Sequence, residues 1–542
     1  MAWKLRRPVQ PKPAGTKMIP LQIEGSAGTT LQTQLYDQIR RAIFLGSLLP
    51  GTALPSSREL ARVMKLSRNT VVLAYEKLAQ EGYLAMRCGA GTFVADPLPE
   101  AYGDAIPLNG GASAGDADAE ADSILAGPNY PPVLLQPGVL RMVQNGPSDH
   151  EINFWYGSAN CRNFPLREWR QLLIENLSRA STNISGYGPP EGILELRQAI
   201  AAHVSNNRAI PIDADQVVVT AGTQEALNLV SRLFVQSSVR VAIENPCYLG
   251  AALVFRSYGG TLVPLPVDDS GARTDALDGC GASLIYVTPS HQFPTGATMS
   301  ARRRFELLRW AQKNGAYIIE DDYDSDFRYD GPPLAALAGL NRNSSVIYLG
   351  TFSKSVGPGL RTGYAVVPKQ LIEPMRHAKG LANYGHPWIE QIVLADFINN
   401  GGFARHLRRI RQSYGQTRDA LLECMQEQFG PVEVHGSDAG MHIMWTLPPF
   451  CPSASEVAGI AASEGVGVYT IEKVGAHEIG PSRYKRALVL GYALLSPAQA
   501  REGIFRIARG LDRAGIARAP SSFGGSPFHR AVRMGTSHLK VL

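Results

Sequence analysis

Between residues 151 and 515 the chain alternates short, unbroken apolar runs with amphipathic stretches, and this alternation leaves few folds open to it. The runs are QVVVTAG, VRVAIENP, SLIYVTPS, AYIIEDDY, SVIYLGTFS and TGYAVV. Each is apolar on both faces, as a strand covered on both sides must be. Between them lie helical patterns such as QEALNLVSRLF and SARRRFELLRWAQKNG. Strands spaced by helices predict an α/β domain with a largely parallel sheet. A single core rarely grows beyond about 250–300 residues. A chain of 542 residues is therefore expected to carry at least one further domain.

Charge distribution locates that second domain. Residues 1–96 hold 13 Lys/Arg against 6 Asp/Glu, whereas residues 97–542 hold 40 against 41. The excess positive charge thus sits in the first hundred residues, which favours nucleic acid as their partner, although a solvated basic surface has the same composition. Six cysteines (Cys88, Cys161, Cys247, Cys280, Cys424 and Cys451) include no CxxC pair. Neither a metal site nor a disulfide frame is expected, and a reducing cytoplasm suits the chain. No apolar h-region follows the basic start MAWKLRRPVQPKP, and no run of apolar residues is long enough to span a membrane.

The basic segment has its own pattern. LQTQLYDQIRRAIFLG places Leu31, Leu35, Ile39 and Ile43 on one helical face. After a Pro50-Gly51 turn, LPSSRELARVM starts a helix capped by Ser56 or Ser57. In KLSRNTVVLAYEKLAQEGYL, Ser67 caps another helix, with Val71, Tyr75 and Leu78 inward. Two short helices joined by a tight turn make a helix-turn-helix, whose second helix enters the major groove. AMRCGAGTFVAD follows, and Gly89 and Gly91 permit a tight hairpin tip, the wing.

In the larger domain, VIYLGTFSKSVGPGLRTGYAVV carries the most chemistry. An apolar strand ends in Thr351-Phe352-Ser353-Lys354. A buried lysine is costly as a cation, but a neutral amine can attack an aldehyde to form a Schiff base. Ser353 and Arg361 are spaced to hold a phosphate beside it. Gly222, Thr223 and Gln224 open a helix after VVVTAG, an anion site by its free N–H groups, though a purely structural turn reads the same way. AYIIEDDYDSDF places Asp321 at a strand end, where it suits a pyridine nitrogen, and Tyr323 where it suits a phenolic oxygen. Such an acidic cluster also suits a metal or a solvated loop; the order Asp-x-Tyr followed by Ser-Lys favours a flat cofactor. Tyr248 is a candidate to stack on that ring, or a core tyrosine.

LPSSRELA, LSRNTVVLAYEKLAQEGYL and GAGTFV resemble the GntR family of winged-helix regulators over essentially all of 31–95. EDDYDSDFRY, TFSKSVGPGLRTGY and TPSHQFPTG resemble fold-type-I aminotransferases over 151–515. The joined arrangement resembles the MocR subfamily of GntR regulators. The resemblance implies an N-terminal α+β winged helix-turn-helix over 1–96, a linker over 97–150, an α/β aminotransferase-like domain over 151–515 and a disordered basic tail over 516–542. It implies Arg58, Ser67, Arg68, Asn69 and Thr70 facing DNA, with Gly89 and Gly91 in the wing. It implies pyridoxal 5'-phosphate linked to Lys354, with Asp321 on its ring nitrogen, Tyr323 on its phenolic oxygen and Tyr248 on its face. Thr223, Gln224, Ser353 and Arg361 then hold the phosphate, and Tyr187, in SGYGPPEGILELR, reaches it across a head-to-tail homodimer.

Two departures from catalytic aminotransferases stand out. Phe293 occupies the place of the asparagine that steadies the phenolic oxygen, leaving Tyr323 with His291 or Gln292. Val489 occupies the place of the arginine that grips a substrate carboxylate, and Arg486 lies three residues earlier. A DNA-binding regulator responsive to the cofactor or a cofactor–ligand adduct is the expected function. The alternatives are an aminotransferase with an accessory DNA-binding domain, and a DNA-binding protein whose second domain serves only to dimerise it.

Overall fold

The structure is a computed structural model, describing residues 30–44, 46–87, 91–96, 98, 146–178, 184–329, 334–340 and 345–516. Gly89, most of the expected 97–150 linker and all but the first residue of the expected tail lie outside them. The chain divides into two compact units, Met1–Gly127 and Pro128–Leu542.

The first unit runs α1 (Leu31–Phe44), β1 (Ala53–Leu54), α2 (Ser57–Met64), α3 (Arg68–Gln80), β2 (Leu84–Arg87) and β3 (Gly91–Val94). Both serine caps form. Ser56 accepts the Glu59 N–H at 3.2 Å, and Ser67 accepts that of Thr70 at 3.1 Å. Leu35, Ile39, Ile43, Val71, Tyr75 and Leu78 close one core with Leu84 and Val94. Fully burying each such side chain contributes roughly 1.5–3 kcal/mol. Leu31, expected on the inner face, is 39% exposed, because it is the first residue of α1 and overhangs that core. β2 and β3 pair antiparallel with Arg87 opposite Gly91, and β1 adds to β3. Gly91 has φ +112°, a backbone that disfavours any side chain, at the wing's return.

The second unit is built on an eight-stranded mixed sheet. All six apolar runs form strands in it: Val217–Thr220, Arg240–Asn245, Leu284–Val287, Tyr317–Asp321, Val346–Thr351 and Gly363–Val366. The sheet order is Val217–Thr220, Gly363–Val366, Val346–Thr351, Tyr317–Asp321, Leu284–Val287, Arg240–Asn245, Thr261–Asp268, Gly271–Ala272. The five strands from Val346–Thr351 to Thr261–Asp268 are mutually parallel, while Gly363–Val366 runs antiparallel to both its neighbours. A four-stranded antiparallel sheet, which includes His442–Thr446 and Ala487–Gly491, forms toward the C-terminus. The carboxyl ends of the parallel strands point their following loops to one edge, where open α/β sheets bind ligands.

Candidate cofactor site and DNA-reading surface

Four strand ends and one helix start meet in a pocket of about 280 Å³. Lys354 and Ser353 follow Val346–Thr351, Asp321 ends its strand, Thr288 follows Leu284–Val287, and Tyr248 follows Arg240–Asn245. The helix Thr223–Phe234 contributes Thr223 and Gln224 from its first turn. Lys354, Asp321, Tyr323, Tyr248, Thr223, Gln224, Ser353 and Arg361 therefore share one cavity. Tyr187 does not join them: its side chain is 91% exposed and packs on Tyr384 at 5.5 Å.

Lys354 is half-buried, and its Nζ donates to the Gly157 carbonyl at 2.8 Å and lies over the Tyr156 ring. Burial pushes its ammonium down to about 8, against partial support from Asp324 and Asp321. On the order of one amine in ten is then neutral at pH 7, against fewer than one in a thousand for an ordinary lysine. Asp321 moves the other way. Burial lifts its carboxyl to about 7, although the Tyr286 hydroxyl donates to its Oδ2 at 2.7 Å. Its Oδ1 is buried without a partner.

The acidic run is sorted by its partners. Glu320 accepts the N–H groups of Leu337 and Ala338, Asp322 pairs with buried Arg208 at 2.6 Å, and Asp324 bonds His291 at 2.8 Å. Of these four carboxylates only Asp321 lines the pocket. Tyr323 Oη lies 3.3 Å from His291 Nδ1. His291, Asp324 and His442 form the one group of metal-ligating composition among the described residues, and burial holds His442 well below the usual histidine range.

At the phosphate end, Gly222 caps the helix with φ +90°. A Cβ there would stand 3.1 Å from Arg361 Nη2 and crowd the guanidinium, on a backbone that already disfavours a side chain. Arg361 adopts a left-handed backbone (φ 46°) and donates to the Ala221 carbonyl at 2.6 Å. Glu225, in the same first turn, is held by buried Lys379 at 2.7 Å. The helix dipole and free N–H groups thus face the pocket with that carboxylate already engaged.

An aromatic wall that no sequence periodicity reveals closes the pocket. Trp155 and Tyr156 line the pocket with Phe293, which stacks on Tyr156 at 4.9 Å and meets Tyr323 edge-on at 6.1 Å. Gln292 is turned away to Glu244 and the Pro246 carbonyl, leaving His291 as the residue beside Tyr323. Val489 is fully buried among Trp155, Phe293 and Tyr469. Arg486, three residues before Val489, does not line the pocket, and its Nη2 donates to the carbonyls of Leu447, Pro448 and Cys451. The charged residues lining the pocket are Asp321, Lys354 and Arg361 alone among those described.

On the first unit, Arg58, Ser67, Arg68 and Asn69 are exposed at the starts of α2 and α3, and Arg62 and Lys65 are exposed at the end of α2. Thr70 is half-buried, its hydroxyl bonded to Ser67 at 2.8 Å as part of the cap.

Two family models match the chain: "Bacterial regulatory proteins, gntR family" over residues 31–94 and "Aminotransferase class I and II" over residues 152–504. The chain is 34% identical to the "Probable rhizopine catabolism regulatory protein MocR" of Rhizobium meliloti, covering 89% of this chain and 94% of that one. It is 29% identical to the "HTH-type pyridoxine biosynthesis transcriptional regulator PdxR" of Corynebacterium glutamicum, covering 88% and 94%. Among solved structures it resembles a Pyrococcus horikoshii kynurenine aminotransferase crystallised with PMP, with a TM-score of 0.62 and 29% identity over 69% of this chain and 93% of that one.

Pyridoxal phosphate is the cofactor these likenesses carry, and the pocket fits it. It offers a lysine amine of lowered pKa, a buried carboxylate oxygen still lacking a donor, and an arginine beside a glycine-opened helix start. No helix of the described residues is long and apolar enough to cross a membrane. A GntR-type helix-turn-helix joined to an aminotransferase class I and II domain, shared nearly end to end with MocR, places this chain in the MocR subfamily of GntR-type transcriptional regulators.

Proposed function

We propose that the chain is a cytoplasmic, DNA-binding transcriptional regulator whose aminotransferase-like domain senses pyridoxal phosphate, or an adduct of it with a small ligand. The observation that carries this reading is a pocket that joins Lys354, Asp321 and Arg361 but offers no carboxylate grip, Val489 being buried and apolar. Lys354 would hold the cofactor through its amine, Asp321 would meet the ring nitrogen, Tyr323 the phenolic oxygen and Tyr248 the ring face. Thr223, Gln224, Ser353 and Arg361 would hold the phosphate. The cofactor supplies an electrophilic carbon and an electron-drawing ring. An amino-acid carboxylate finds no free guanidinium there, and burying it unpaired costs several kcal/mol. Transamination is accordingly slight.

On the DNA side, Arg58, Arg68, Asn69 and the wing glycines face the duplex, while Ser67 and Thr70 act chiefly by fixing the start of α3. The protein works as a homodimer, which suits paired half-sites. Exposed Tyr187, Tyr384, Leu381 and Ile184 supply an apolar surface for the partner, with Tyr187 reaching its phosphate site. The test is capture of genomic fragments by purified protein, with amino-acid turnover measured in parallel. Discrete retained fragments with negligible turnover support the regulator. Turnover without retained DNA would instead establish an aminotransferase.

A further inference from the structure

Residues 97–542 are close to neutral, yet one helix start carries a local run of positive charge. The long helix Gly402–Phe429 opens GFARHLRRIRQ, with four arginines and no acid in its first three turns. Arg405 stands three and four residues before Arg408 and Arg409, and Arg408 three before Arg411, so these pairs are neighbours on the helix surface and repel one another. Arg405 also lies near the positive end of the helix dipole, where cations are disfavoured.

Internal partners answer little of this charge. Arg405 pairs with Glu168. Arg409 donates to the Asn163 carbonyl and the His406 ring, and Arg411 donates to the Asp326 carbonyl; none of these acceptors carries a full charge. The Asp326 carboxylate feels Arg411 but is turned to His203 at 3.6 Å. Arg408 is exposed and makes no ion pair or hydrogen bond among the described residues.

Arg408 and Arg411 line an open groove of about 380 Å³ with Arg328 and Arg418, and Asp419 is the one acid in its lining. Arg328 Nε is buried there without a partner. Arg418 is fixed by Asp419, by the Ser437 carbonyl and by the Tyr329 ring at 4.6 Å. All four cations are arginines, whose planar donor forks match phosphate oxygens. A groove of four guanidiniums against one carboxylate, one of them held in place and one fully free, is suited to a polyanion.

We propose that this groove is a second DNA-binding surface, gripping the phosphate backbone without reading bases. The inference rests on the DNA-binding reading above, since the duplex is the polyanion that a winged helix already brings to the protein. Such a contact adds affinity and salt dependence but no sequence preference.

The test uses the full-length, cofactor-loaded protein and a random-sequence duplex of roughly 60 base pairs, titrated by fluorescence anisotropy at several salt concentrations. Each lost phosphate contact lowers the slope of log affinity against log salt by about 0.9. Arg408→Ala is expected to lower the slope by about 1 and to weaken binding about tenfold near 0.1 M salt. Arg408→Ala with Arg411→Ala doubles the slope change, whereas Arg302→Ala, which removes an exposed arginine paired with Glu306, leaves it unchanged. Unaltered melting and cofactor binding certify that the variants are folded, and Arg408→Ala alone decides should loss of the Arg411 bond disturb the fold. Wild-type slope and affinity in both variants would overturn the groove while leaving the winged helix standing. Tighter binding by Arg408→Ala would also overturn it, by showing that the groove holds an acidic segment of protein. Failure of the wild type to bind any duplex sinks both readings together.

Discussion

Replacing Asp321 by asparagine pulls apart two effects that the wild type combines. The Asp321 side chain is 4% exposed, with one oxygen bonded to Tyr286 and the other unpartnered. Burial raises its carboxyl from 3.8 to about 7. In the cofactor-free protein the folded state therefore keeps a proton that the unfolded chain has released. Where the folded state binds more protons, stability falls as pH rises. The window runs from about pH 4 to about pH 7, and the full cost of the ionised group above it is about 4 kcal/mol. Asparagine keeps the Tyr286 bond and has no charge to desolvate. Cofactor-free Asp321→Asn should thus match the wild type below about pH 4, exceed it by about 1–2 kcal/mol at pH 5 and by about 4 kcal/mol at pH 8. Cofactor binding moves oppositely, because the variant loses the charged partner of the ring nitrogen. A charge-assisted hydrogen bond contributes about 1.5–3 kcal/mol, so affinity should fall on the order of 10- to 100-fold. Denaturant titrations at the two pH values, with and without pyridoxal phosphate, measure both effects. Equal stability differences at pH 5 and pH 8, or undiminished cofactor affinity, would refute the assignment of Asp321.

Other residues make separate predictions. Lys354→Ala should leave no pyridoxyl group on the protein after borohydride treatment, while Arg361 and the helix start keep measurable non-covalent affinity; a pyridoxyl group mapped to another lysine contradicts this. Gly222→Ala adds a Cβ at φ +90° and 3.1 Å from Arg361, so pyridoxal phosphate should bind at least about 1–2 kcal/mol more weakly in equilibrium dialysis. Arg486→Ala should lower the melting temperature through its lost carbonyl bonds, and ligand-induced spectra should stay as in the wild type. Arg68→Ala should cost about 1–3 kcal/mol of operator affinity and relax preference at one base, read by competition with single-base operator variants.

Much of this was legible because the residues concerned sit where apolar runs end. Lys354 and Asp321 each follow a run that had to be a buried strand, and parallel strands deliver such ends to one edge. The strand Thr261–Asp268 was hidden by Pro264 and Pro266, which argue against a central strand. They are tolerated because only Val267 and Asp268 pair with the next strand, so the missing donors fall on a nearly free edge. Trp155, Tyr156 and Gly157 were hidden for another reason. FWYGSAN has no period, and Gly157 meets Lys354 across 197 residues of sequence. The place of Arg486 follows from strand alternation: three residues before Val489 it falls on the opposite face, where it donates to the carbonyls of Leu447, Pro448 and Cys451.

Regulation demands more than tight binding, since a ligand held equally by two arrangements shifts neither. The direct measurement is the affinity of the full-length protein for its own operator, taken for cofactor-free and cofactor-loaded protein at one fixed salt concentration. A severalfold or larger difference between the two forms, abolished by Lys354→Ala with Asp321→Asn, is the result expected of a cofactor sensor. Identical operator affinity in both forms, with and without added amines and amino acids, would contradict it.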